Sequence, residues 1–143
     1  MSGIAIIPVT GKRDAKAFVQ FPKELYKGCA QYVPDFDSDI YEAVRSLNAF
    51  VAKDENGKVV GRVATFVNEE ANKKWQRKAV RFMQLDFVDD PAVSKALLDR
   101  VEAYGREQGM EMVLGPLGLD DFDKEGMLIE GFDRLSAMIE YYN

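Results

Sequence analysis

Apolar positions along this chain fall into short runs and spaced stripes whose period changes from segment to segment. Ile4 to Val9 is an apolar run ended by Thr10-Gly11 and predicts a first strand. Lys12 to Gln20 has the spacing of a helix, with Ala15, Phe18 and Val19 on one face. Phe21-Pro22 is expected to interrupt it, because the residue before a proline avoids helical geometry. One further turn over Lys23 to Lys27 would then end at Gly28. After an extended Tyr32-Val33-Pro34, Asp37 to Leu47 predicts a second helix. Asp37 or Ser38 would cap it, with Ile40, Val44 and Leu47 as its apolar edge.

The next stretch changes to strand period. Ala49 to Asp54 and Lys58 to Val67 predict two strands joined by Glu55-Asn56-Gly57, since Asn and Gly both tolerate positive φ in a tight hairpin. Asn68 to Lys78 is polar and reads as a loop or a short helix. Ala79 to Val88 predicts another strand, but Phe82, Met83, Leu85 and Phe87 do not share one face. That pattern implies burial on both faces or a bulge. Asp90-Pro91 then opens the clearest helix, Asp as cap and Pro at the first helical position. Val93, Leu97, Val101 and Tyr104 form its apolar face, while Lys95–Asp99 and Glu102–Arg106 are spaced i,i+4 on the wet side. Gly109 closes it, and Met110 to Leu114 predicts a last strand. The order β-α-α-β-β-β-α-β defines an α+β fold, a mixed sheet covered by helices, in one domain over residues 1–143.

Composition narrows the function classes. Of 143 residues 47% are hydrophobic and 30% charged, which suits a folded domain. The net charge of -5 argues against a broad phosphate-binding surface, so no nucleic acid partner is expected. The one basic run, Lys73-Lys74-Trp75-Gln76-Arg77-Lys78, is read as a solvated helix or loop with Trp75 tucked against the core. The chain has no His, which removes Ser-His and Cys-His catalysis and imidazole metal sites. Cys29, the single cysteine, excludes an internal disulfide and is expected to be a small buried hydrophobe in a cytoplasmic protein. No apolar run reaches membrane-spanning length, so no membrane association is expected.

The segment from Gly115 to Asp133, GPLGLDDFDKEGMLIEGFD, invites a metal reading. Asp121, Asp123, Glu125 and Gly126 occupy the first, third, fifth and sixth positions of a helix–loop–helix calcium loop. The twelfth position, which must supply a bidentate carboxylate, is Phe132, and Gly115-Pro116 cannot end a preceding helix. The expectation is a structured loop with solvated acids and no metal.

The element order and several residues resemble the GNAT acyltransferase superfamily, and more closely a group of longer bacterial GNAT-like proteins. The shared features are Phe21-Pro22-x-x-Leu25-Tyr26, Val33-Pro34, Phe50-x-Ala52, Val60-Gly61-Arg62, Asn68 with Asn72, and Asp89-Asp90-Pro91. Most specific is the stretch from Gly115-Pro116 through Gly126-Met127-Leu128 to Gly131-Phe132-Asp133. The resemblance implies transfer of an acyl group from acetyl-CoA or another acyl-CoA to a small-molecule amine. It also implies a pyrophosphate-binding turn ahead of the main helix, which the pairing of Leu97-Leu98 with the family's leucines places at Asp89 to Ser94. There Ala92 and Ser94 stand where glycines would, and Lys95 supplies a cation, so these three are the candidate cofactor-binding residues.

That turn departs from the family pattern. Asp89 and Asp90 bring negative charge to an anion site, a capping Asp90 would occupy helix donors, and Pro91 has no N–H. A non-catalytic GNAT-like binding or scaffolding domain is therefore the alternative function. Tyr141 and Tyr142 lie where the family's catalytic tyrosine is expected, but too near the end to assign, so no catalytic residue is named. The family sheet continues for two more strands. The chain is thus expected to be a piece of a longer protein or a short variant that closes its sheet differently. An open sheet edge would favour self-association.

Overall fold

The computed structural model describes residues 3–137, so Tyr141 and Tyr142 lie outside the described residues. Strands β1 Ala5–Pro8, β2 Asn48–Lys53, β3 Val59–Val67, β4 Ala79–Phe87 and β5 Met112–Leu114 form one sheet in the order β1-β2-β3-β4-β5. Neighbours are antiparallel except β4 and β5, which are parallel. Helices α1 Lys12–Leu25 and α2 Asp37–Ser46 cover one face, with Phe18, Val19 and Ile40 on Val51, Ala64 and Met83. Helix α4 Pro91–Glu107 covers the other, with Val93, Leu97 and Val101 on Phe50, Val63, Val80, Phe82 and Leu85. A short α3, Glu69–Lys74, fills the polar stretch between β3 and β4.

The predicted order therefore holds, with local corrections. Helix α1 does not stop at Phe21 but runs through Pro22. Proline has no N–H for the Phe18 carbonyl four residues back. That carbonyl instead accepts from Arg62 Nη1 at 2.9 Å, and Tyr26 N–H donates onward to the Pro22 carbonyl at 2.9 Å. A partner from a distant strand removes the usual reason for a break. In α2 the capping position is Phe36, without a side-chain cap. Asp37, one residue inside, binds Lys23 at 2.6 Å and accepts from Gln20, tying α2 to α1. The hairpin turn places only Gly57 at positive φ. Asp54 closes it by accepting from the N–H groups of Asn56 and Lys58, each at 2.9 Å.

Strand β4 shows both features its pattern allowed. Eight of its nine residues are buried, and the register with β3 slips between Arg62 and Ala64. Gln84, at φ 53, belongs to this bulge. The extra residue turns Phe82, Leu85 and Phe87 toward the α4 side and Met83 toward the α1 side.

Trp75 is not tucked against the core but is 61% exposed. It follows the last residue of α3, and Gln76 at φ 50 reverses the chain there. The inward place belongs to Asn72, whose amide donates to the Ala79 carbonyl at 2.9 Å and accepts from Ala79 N–H at 3.2 Å.

Candidate functional site

The start of α4 is built as its sequence implies. Asp90 sits extended at the cap (φ -142, ψ 113), and its carboxylate accepts from Ala92 N–H at 2.8 Å. Val93 N–H and Ser94 N–H both donate to the Asp90 carbonyl, at 3.0 and 3.3 Å. Asp90 N–H donates to the Val88 carbonyl at 2.6 Å, and Pro91 has no N–H. Each backbone donor from Asp90 to Ser94 is thus engaged or absent.

The side chains named for the coenzyme are also committed within the helix. Ser94 Oγ donates to the Pro91 carbonyl at 3.1 Å. Lys95 reaches one turn on to Asp99 at 2.5 Å, and this hydrogen bond and charge raise its pKa above the ordinary lysine value. Ala92, Ser94 and Lys95 share the first turn and a half of α4, where the carboxylate of the capping Asp90 stands. An anion approaching this end meets the Asp90 carboxylate and, from Asp90 to Ser94, no unengaged backbone N–H.

Behind the sheet lies a buried polar cluster that the pattern of periods did not single out. Arg62 on β3 is 1% exposed. Its Nε donates to Asp86 Oδ2 at 2.8 Å, Nη2 donates to Gln84 Oε1 at 2.9 Å, and the guanidinium lies 4.9 Å from the Phe18 ring centre. Tyr26 hydroxyl donates to Asp86 Oδ1 at 2.9 Å, and its ring lies 4.4 Å from that of Tyr32. Burial first, and then the Asp86 charge, push the pKa of both tyrosines well above the ordinary phenol value. The cluster joins α1, β3 and the β4 bulge through charge-assisted bonds. A charged residue inside each of two apolar strands, Arg62 and Asp86, was the signal available in the sequence.

The stretch after β5 is a wound loop. Its acids serve the backbone: Asp120 Oδ1 accepts from Phe122 N–H at 2.8 Å, and Asp123 Oδ2 from Leu119 N–H at 2.7 Å. Gly118 has no room for a side chain, since a Cβ would fall 2.1 Å from that of Asp123. Lys124 turns inward to the Val33 carbonyl and to Asp35, each at 3.2 Å. Among the described residues no group of three or more His, Cys, Asp or Glu is placed to hold a metal. No helix among them is long and apolar enough to cross a membrane.

A mixed, largely antiparallel five-stranded sheet, with α1 and α2 on one face and the crossover helix α4 on the other, is the fold of the GNAT acetyltransferases, and this chain has it. Among solved structures it is similar to an aminoglycoside acetyltransferase from an uncultured soil metagenomic sample, in complex with sisomicin. The two are 19% identical with a TM-score of 0.57, over 78% of this chain and 76% of that one. It is likewise similar to Rv2747 from Mycobacterium tuberculosis, in complex with CoA and NLQ, at 21% identity and a TM-score of 0.54, over 77% and 63%. Among curated proteins, Protein YghO of Escherichia coli (strain K12) is 32% identical over 131 residues, 85% of this chain. The match covers 33% of YghO, so the chain spans about a third of that relative's length. No family model matches the chain.

Proposed function

We propose that this chain is a GNAT-type binding or scaffolding domain that holds acyl-CoA weakly or not at all. The observation that carries the reading is the closed first turn of α4. Asp90 takes the Ala92 N–H, Pro91 contributes none, and Lys95 is engaged by Asp99. A helix end attracts phosphate through unsatisfied N–H groups and the positive end of its dipole, and here the first are filled and the second is offset by carboxylates.

A second reading is acyl transfer from acetyl-CoA, or another acyl-CoA, to a small-molecule amine. The likeness in fold to an aminoglycoside acetyltransferase holding sisomicin and to a protein holding CoA favours it. In that case Ala92, Ser94 and Lys95 would face the pyrophosphate after the cap rearranged. Calorimetric titration with acetyl-CoA separates the two. Absence of saturable heat supports the first reading, and binding in the micromolar range makes the second the better one. Self-association belongs to the proposal as well. Strand β5 is an edge with Met112 and Val113 exposed, and sedimentation velocity across a concentration series would detect it.

A further inference from the structure

A cleft of about 620 Å³ opens between α3 and the loop after β5, lined by Trp75, Arg77, Arg81, Leu117 and Leu119 among others. It lies at the N-terminal end of β4, the opposite end of that strand from α4, and so does not depend on the coenzyme question. Arg81 is buried at 8% exposure and donates through Nη1 to the Gly118 carbonyl at 2.8 Å. Arg77 has a buried Nε with no hydrogen-bond partner. Neither arginine forms an ion pair with a carboxylate among the described residues. Burial first, and then the nearby Arg77 charge, lower the Arg81 pKa, with Asp121 acting against them.

The cleft also has carboxylates, from Glu70, Asp120 and Asp121. Asp120 is engaged by the Phe122 N–H, and none of the three reaches either guanidinium as an ion pair. Two guanidinium groups in one cleft without a directly paired carboxylate repel each other, and an oxyanion between them would offset that cost. Beside them the indole of Trp75 is 61% exposed, with Lys74 Nζ 5.1 Å from its ring centre, and Leu119 is exposed across the cleft. A wide apolar wall next to paired cations suits an anion carried on a flat ring, not a bare inorganic ion.

We propose that this cleft binds a small aromatic oxyanion, its carboxylate or phosphate held by Arg77 and Arg81 and its ring laid on Trp75. Trp75 is the single tryptophan, so its fluorescence reports on the cleft directly. The experiment titrates the full chain with phenyl phosphate and with benzoate, and with phenol and inorganic phosphate as controls, following fluorescence and heat. The expected result is a saturable change with at least one aromatic anion, weaker by about tenfold or more for each control. The stronger of the two anions identifies the group. Arg77→Gln, at a partly buried position, should fold as judged by circular dichroism and weaken binding by about tenfold. No saturable change with either anion would overturn the proposal, as would equal affinity in folded Arg77→Gln. Tight binding of a single-stranded oligonucleotide with no response to either small anion would also overturn it.

Discussion

Removing one carboxylate, Asp86→Ala, should destabilise this domain more than deleting any ion pair on its surface. Asp86 is the ionic partner of Arg62, whose guanidinium is buried under α1. Its Oδ2 lies 2.8 Å from both Nε and Nη2, and its Oδ1 accepts from Tyr26 at 2.9 Å. Without it the guanidinium keeps two neutral acceptors, the Phe18 carbonyl and the Gln84 amide oxygen. An uncompensated buried charge costs about 3–5 kcal/mol. Against a total stability of about 5–15 kcal/mol that is a large fraction. At roughly 3 °C per kcal/mol for a chain of this size, the melting temperature should fall by about 10–15 °C. Urea unfolding followed by circular dichroism measures the loss. Lys95→Ala provides the contrast, because the Lys95–Asp99 pair lies in solvent and its loss should leave the melting temperature nearly unchanged. The double variant Arg62→Met/Asp86→Leu should cost less than the two single losses added together, since it removes both charges at once, but it should not reach parent stability because the Phe18 carbonyl loses its donor. A cost below about 1 kcal/mol for Asp86→Ala would show that water reaches Arg62 and that the buried-charge argument is wrong.

Other expectations are more local. Leu97→Ala should cost about 2–5 kcal/mol in the same assay, because Leu97 is fully buried, and a loss under about half a kcal/mol would contradict the packing of α4. The double variant Asp89→Gln/Pro91→Gly should bind acetyl-CoA measurably better than the parent by calorimetry, since one charge leaves and one N–H donor returns; equal affinity would refute the account of the closed helix start. Stability should decline as pH rises above about 10. The tyrosine pKa values are raised in the fold, so the unfolded chain loses those protons first; Tyr26→Phe should flatten the decline in melts across that range. Sub-millimolar calcium should leave the melting temperature unchanged, and a clear rise lost in Asp121→Ala would reverse the reading of the Gly115–Asp133 loop.

The sequence by itself determined the element order, the cap and inner face of α4, the hairpin, and the irregularity of β4. Each depends on neighbours within a few residues, where spacing and backbone preference act directly: Asp90 caps α4 because the chain places it two residues before Ala92. The GNAT resemblance also lay in the sequence, in stretches such as Gly115-Pro116 and Val60-Gly61-Arg62. Gly61 then acquires a physical reason, since a Cβ there would meet Leu97 Cδ1 at 2.8 Å and Val93 Cγ1 at 2.9 Å. Only the tertiary structure decided what Pro22 does, because the Phe18 carbonyl that it leaves free is satisfied by Arg62, 44 residues away. The same holds for Trp75, which is exposed while Asn72 holds the Ala79 backbone, and for Arg77 and Arg81, whose cleft is completed by the loop after β5. Local preference can be read along the chain, but the partners of a buried charge, a freed carbonyl or an exposed ring are set by which distant strands and loops the fold brings beside them.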